Sequence, residues 1–181
     1  MSKPKKAALF LFFAALLGVG YGGAVRGLSF KVLGYRNYAQ QLDAAHFAAA
    51  AKQFENSPYA KPLELSDFAV AYTADALTFR MKSNSASDPN KILESKHGHC
   101  KMYAYVLAST FNQLAKKHNS TSRCRVAYGL VYWYGINLHQ FIGGAFFKDH
   151  DFNVITDGNR TYAVDATLYD YFRIREIPVR R

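Results

Sequence analysis

GHCKMYAYVLASTFNQLAKKHNSTSRCRVAYGLVYWYG, residues 98–135, changes its hydrophobic period halfway along. From Cys100 onward, Tyr103, Leu107, Phe111 and Leu114 recur at the three-to-four spacing of one helix face, which predicts a central helix running to about Lys117. KKHNSTS is a polar break. RVAYGLVYWYG, residues 125–135, is rich in valine and aromatics, as strands are.

The flanks extend both halves of this pattern. RNYAQQLDAAHFAAAAKQFENS, residues 36–57, is Ala-rich and predicts a helix, and Ser57-Pro58 opens a linker through Pro62. Ser66 is suited to cap a second helix, along which Phe68, Tyr72 and Phe79 recur. SNSASDPN, residues 83–90, reads as a polar loop. Its Asp88-Pro89 is a cap followed by a first-turn proline, opening a short helix through Ile92 and Leu93 that His97-Gly98-His99 breaks. Downstream, QFIGGAFF (140–147) predicts a second strand. HDFNVIT (150–156) and RTYAVDAT (160–167) predict two more, joined by the turn Asp157-Gly158-Asn159. Helices first and antiparallel strands afterwards make an α+β domain. Three segments are expected: a leader at 1–24, a helical part at 25–87, and a core at 88–181.

The chain has 181 residues, half of them hydrophobic, which suffices for one domain with a packed core. No acidic or Gly/Ser/Pro-rich tract marks a disordered region. MSKPKK followed by AALFLFFAALLGVG has the layout of a signal peptide, with Gly22-Gly23-Ala24 offering small residues for cleavage after Ala24. An uncleaved anchor is the competing reading, because no charge occurs from Ala7 through Val25. Both readings export the folded part. The net charge of +10 suits an anionic partner such as a membrane or envelope surface. Removing Lys3, Lys5 and Lys6 with the leader leaves 20 basic against 13 acidic side chains, or +7. No Lys/Arg stripe precedes the tail RIREIPVRR, so nucleic acid is not the expected partner.

Cys100 and Cys124 are the only cysteines. A thiol on the first turn of a helix faces the positive end of the backbone dipole, which favours the thiolate. A nucleophilic thiolate needs an imidazole, and the imidazole needs an acceptor that fixes its tautomer. His150 opens the first strand of the expected hairpin, and Asp165 lies near the end of the second. Pairing about Gly158 sets Asp165 one residue from the position opposite His150.

Four pieces carry a resemblance: GHCKMYAYVLASTFNQLAKKHN, RCRVAYG, HDFNVI and TYAVDAT. In this order they resemble the transglutaminase-like branch of the papain-type cysteine enzymes, over about residues 88–168. The resemblance implies a papain-like core, with the nucleophile at the start of a central helix packed on an antiparallel sheet. It implies Cys100 as nucleophile, His150 as base and then acid, and Asp165 as the residue orienting His150. The implied activity is acyl transfer on peptide or glutaminyl amides through a thioester, hydrolysis before cross-linking, with a protein or peptide substrate and no cofactor or metal. Phe152 stands where the family usually has tryptophan. Asp151 replaces a usual small residue, adding a charge that would raise the pKa of the imidazole or compete with Asp165. No upstream Trp, Gln or Asn aligns with the side-chain half of an oxyanion hole, leaving the N–H of Cys100 as the expected donor.

Other readings compete. His139-Gln140-Phe141 offers an alternative base. His97, His99 and Cys100 would hold zinc if Cys124, His118 or His139 completed the set. Cys100 and Cys124 would form a disulfide in an oxidising compartment; otherwise Cys124, in a strand pattern, is a buried small hydrophobe. A catalytically inactive envelope-binding domain and a stapled, anchored structural protein are the non-enzymatic alternatives. Trp133 reads as a packing residue. Asn119-Ser120-Thr121 and Asn159-Arg160-Thr161 match the glycosylation sequon.

Overall fold

A computed structural model describes residues 26–60, 64–81, 86–141 and 148–180. The expected leader, residues 1–24, lies outside the described residues. Among the described residues, no helix is long and apolar enough to cross a membrane.

The fold is α+β. Its strands are β1 (Leu28–Tyr35), β2 (Thr78–Phe79), β3 (His97–Gly98), β4 (Arg123–Trp133), β5 (Ile136–Asn137), β6 (His150–Asp157), β7 (Arg160–Val164) and β8 (Val179–Arg180). Its helices are α1 (Ala44–Glu55), α2 (Leu65–Ala76), α3 (Pro89–Ser95), α4 (Cys100–Lys117) and α5 (Ala166–Phe172), with a 3-10 turn at Leu138–Gln140. The main sheet runs β7-β6-β4-β1-β8, with β5 folded back on β4. Its pairs are antiparallel except β1 with β8. Ala163 of β7 and Ile177 exchange two backbone hydrogen bonds, of 2.9 and 2.8 Å. Ile177 lies two residues before β8, so the sheet curls until its two edges almost meet.

This curled sheet encloses one core and supports another. Phe30, Ala127, Phe152, Val154, Ala163 and Ile177 pack inside it. The opposite face, with Cys124, Val126, Ile155 and Val164, meets the helices. Helix α4 lies in that second core, with Val106, Leu107 and Leu114 fully buried. Asn153 of β6 donates its side-chain N–H to the Ala104 carbonyl of α4 at 2.9 Å. Tyr103 donates to the Leu77 carbonyl at 2.8 Å, tying the first turn of α4 to the end of α2. Asn112 grips both backbone groups of Cys124, at 2.9 Å each, and so acts as an extra edge for β4.

The central helix from Cys100 to Lys117, the Asp88-Pro89 start of α3 and the first strand after the polar break appear as expected. Four expectations are corrected. The segment 25–87 is not wholly helical, because β1 occupies Leu28–Tyr35, and β1 lies inside the sheet between β4 and β8. Residues 36–43 are not helical either: Asp43 caps α1 by accepting from His46 N–H. Tertiary bonds hold this stretch extended, Leu42 exchanging two with the Gln113 side chain and Gln40 accepting one from Ser109. Helix α2 starts at Leu65, with Ser66 inside its first turn, and Phe79 leaves it for β2, which pairs with β3 beside Gly98. The extended run 160–167 stops at Val164, because Asp165 turns the chain into α5. The strand expected over 140–147 falls mostly outside the described residues; within them Gln140 belongs to the 3-10 turn.

Gly129 marks the tightest crossing of the sheet. A Cβ there would collide with the Lys31 carbonyl oxygen on β1, close to the register shift between Val32 and Gly34. Gly129→Ala is therefore expected to lower stability by about 1–3 kcal/mol, the usual range for overpacking. Urea unfolding measures it, and an unchanged midpoint would contradict the close approach.

Candidate active site

Cys100 is the first residue of α4, and its neighbours suit an anion. The N-cap residue His99 makes no side-chain capping bond, and the first turn carries no acidic residue. The first N–H groups of a helix have no intrahelical acceptor, so a thiolate at Cys100 meets donors and the positive helix end. Gly98 lets the chain pass tightly into the helix: a Cβ there would come within 2.9 Å of Met102 Cβ.

His150 arrives from the first position of β6, opposite Gly129 on β4. Its ring stands edge-on to Phe30, with centroids 5.9 Å apart, and beside Phe152 at 6.4 Å. His150 Nε2 hydrogen-bonds Asp165 Oδ2. That fixes the ring and leaves Nδ1 for the thiol of Cys100, to which His150 is also hydrogen-bonded. Asp165 is buried and held in turn. Its Oδ1 accepts from Thr167 N–H at 2.8 Å and Leu168 N–H at 3.2 Å, capping α5. The hairpin register is Asn153↔Val164 through Asp157↔Arg160, a two-residue turn at Gly158-Asn159. Regular pairing stops at Val164, and the turn into α5 brings Asp165 to His150 without a strand position opposite it.

The electrostatics follow from these contacts. Burial pushes the Cys100 thiol up, but hydrogen bonds from His150 and His99, the charge on His150 and the Asp151 N–H outweigh it and bring it down to about 6. Burial also disfavours charge on His150. The Asp165 carboxylate and the Cys100 thiolate reverse this, holding the imidazolium well above the usual histidine range. The two shifts open a pH window for a thiolate–imidazolium pair. It begins as pH rises through about 6 and ends where His150 loses its proton.

Cys100, His150 and Asp165 are thus brought together. Asp151 does not compete with Asp165 for the ring: its carboxylate is taken by Arg36, at 2.6 Å from Nε and 3.1 Å from Nη2. Phe152 lies in the core enclosed by the sheet, below His150. His139 sits on the 3-10 turn Leu138–Gln140, and it is His150 that bonds the thiol. Cys124 is buried and its thiol is pushed up by burial. It is bonded through its backbone to Asn112, and twelve residues of α4 span about 18 Å, too far for a bridge to Cys100. Both cysteines are free. Among the described residues, no group of three or more His, Cys, Asp or Glu is placed to hold a metal ion.

Sequence reasoning missed two contributors. His99 donates to the thiol, and the only hint was its place beside Cys100. Arg36 neutralises Asp151 from 115 residues away, and nothing in its local sequence signals that contact. Comparison with known protein families, with characterised proteins and with solved structures gives no match.

The thiol environment predicts selective alkylation. Cys100 is expected to react with iodoacetamide at a rate that climbs through about pH 6, while Cys124 stays silent until unfolding. His150→Ala removes a donor and a charge, so the climb should move toward the ordinary thiol range near 8.5. Site-resolved mass spectrometry reads both, and equal profiles for the two cysteines would refute the assignment.

Proposed function

We propose that this chain is an exported, transglutaminase-like cysteine enzyme with a papain-like core, acting on peptide or glutaminyl amide bonds and hydrolysing rather than cross-linking them. The observation that carries the reading is the Cys100–His150–Asp165 chain of contacts: a thiol at a helix start, an imidazole bonded to it, and a buried carboxylate on the far ring nitrogen. The depressed thiol pKa favours this over a binding domain, which has no use for a thiolate at neutral pH.

In the proposed reaction the Cys100 thiolate attacks the amide carbon, and the carbonyl oxygen becomes an oxyanion beside the Cys100 N–H. The His150 imidazolium gives its proton to the amide nitrogen as the C–N bond breaks, leaving a thioester and a free amine. Neutral His150 then takes a proton from water, whose oxygen attacks the thioester carbon. The acid leaves, the thiolate is restored, and the proton rests again on His150. Asp165 keeps the ring in one tautomer and stabilises its charge throughout. An amine in place of water would give transamidation by the same steps.

Cys100→Ala and His150→Ala are each expected to abolish turnover of a quenched peptide library, with thermal unfolding nearly unchanged. Turnover surviving in either variant would sink the reading, and a wild type inert to every peptide and glutaminyl probe would make the fold a binding domain. Asp165 separates two roles. Asp165→Asn keeps an oxygen for the α5 cap and should retain stability while losing about 100-fold or more in rate. Asp165→Ala should lose both, with about 0.5–2 kcal/mol of stability gone in urea unfolding.

A further inference from the structure

The start of β1 and the end of β4 stand apart from the thiol chemistry. Residues 26–33 and 127–141 contain Arg26 and Lys31 and not one carboxylate. Lys31 is exposed on β1, and Arg180 of β8 is its register partner. Arg180 stands over the Tyr132 ring, 4.4 Å from its centre. The turn between β4 and β5 adds an apolar point, with Tyr134 58% and Ile136 48% exposed. Tyr134 N–H donates to the Gly27 carbonyl at 2.8 Å, which fastens this tip to the start of β1.

The chain that precedes β1 decides what such a tip would meet. Arg26 stands next to Gly27, and before it residues 7–25 carry no charge. A run of that composition is at home in lipid, so wherever it inserts, the tip is carried to within a few residues of the bilayer surface. Aromatic side chains with an apolar point, flanked by Arg26, Lys31 and Arg180 in stretches that carry no carboxylate of their own, have the composition of a membrane–water interface. We propose that the Trp133–Ile136 tip, with Lys31 and Arg180, docks on an anionic lipid bilayer and fixes the orientation of the domain there. The inference is independent of the thiol chemistry. If both hold, the site stands close to the lipid, since His150 pairs with Gly129, four residues or about 13 Å along β4 from Trp133.

Trp133 is the only tryptophan, so it reports on the tip without labelling. The full chain is reconstituted in phosphatidylcholine vesicles with and without about 30% phosphatidylglycerol, an anionic lipid. Trp133 emission is then quenched by lipid-borne bromine or by aqueous acrylamide. Docking predicts strong bromine quenching in the anionic vesicles and weaker acrylamide quenching there than in detergent. Lys31→Ala and Arg180→Ala should each lower the docked-to-undocked ratio about fivefold, the effect of one cation near an anionic surface. Tyr134→Ser combined with Ile136→Ser should return Trp133 to water. The lipid comparison on the unaltered chain needs no variant and decides the matter if one fails to fold. Acrylamide quenching equal in vesicles and detergent overturns the proposal, as does bromine quenching equal in neutral and anionic vesicles. Shielding of Trp133 by dextran sulfate but not by lipid would make this a site for a soluble polyanion and also overturn it.

Discussion

The Asp165 carboxylate is the joint on which the arrangement depends. One oxygen accepts two backbone N–H groups and starts α5, while the other faces the ring of His150. A charge buried with three donors around it is held in position by each of them, so the helix start fixes the imidazole and the imidazole fixes the helix start. Helix cap and orienting carboxylate are here one side chain. The cost of burying the charge is offset at both ends.

The rest of the fold delivers the thiol to this joint. Helix α4 lies against β6 through the Asn153 bond to Ala104 and against α2 through Tyr103, so its first residue has little freedom relative to His150. Inside the sheet, Phe30 and Phe152 make a floor under the imidazole ring, with their own centroids 4.4 Å apart. A protonated ring on an apolar floor needs a near counter-charge, and both the thiolate and Asp165 supply one. Packing therefore decides the distance between the groups, and the charges decide which protonation states that distance supports.

The sequence made the helix α4, the α3 cap and the β6–β7 hairpin legible because each is fixed by local chemistry: apolar spacing, an Asp-Pro pair, an Asp-Gly-Asn turn. Cys100, His150 and Asp165 could be picked out for the same reason, each sitting at the end of such an element. What was not legible depends on distant partners. β1 is a sheet strand because β4 and β8 flank it, although it stands among helical segments and next to an uncharged run. Residues 36–43 look helical in composition and are drawn out by bonds to Gln113 and Ser109, some seventy residues away. The role of Asp151 depends on Arg36, a partner that no local window of sequence contains.

The last turn of the sheet has a consequence for the order of events in synthesis. Cys100 precedes His150 by fifty residues, Asp165 by sixty-five, and the Ile177 bridge that draws the sheet edges together by seventy-seven. A nascent chain that has emerged only as far as α4 carries a thiol with neither imidazole nor closed floor beside it. Its acidity is then that of any exposed cysteine. The reactive state waits for β6 and the turn into α5, so the thiol stays chemically quiet while the segments before them are made.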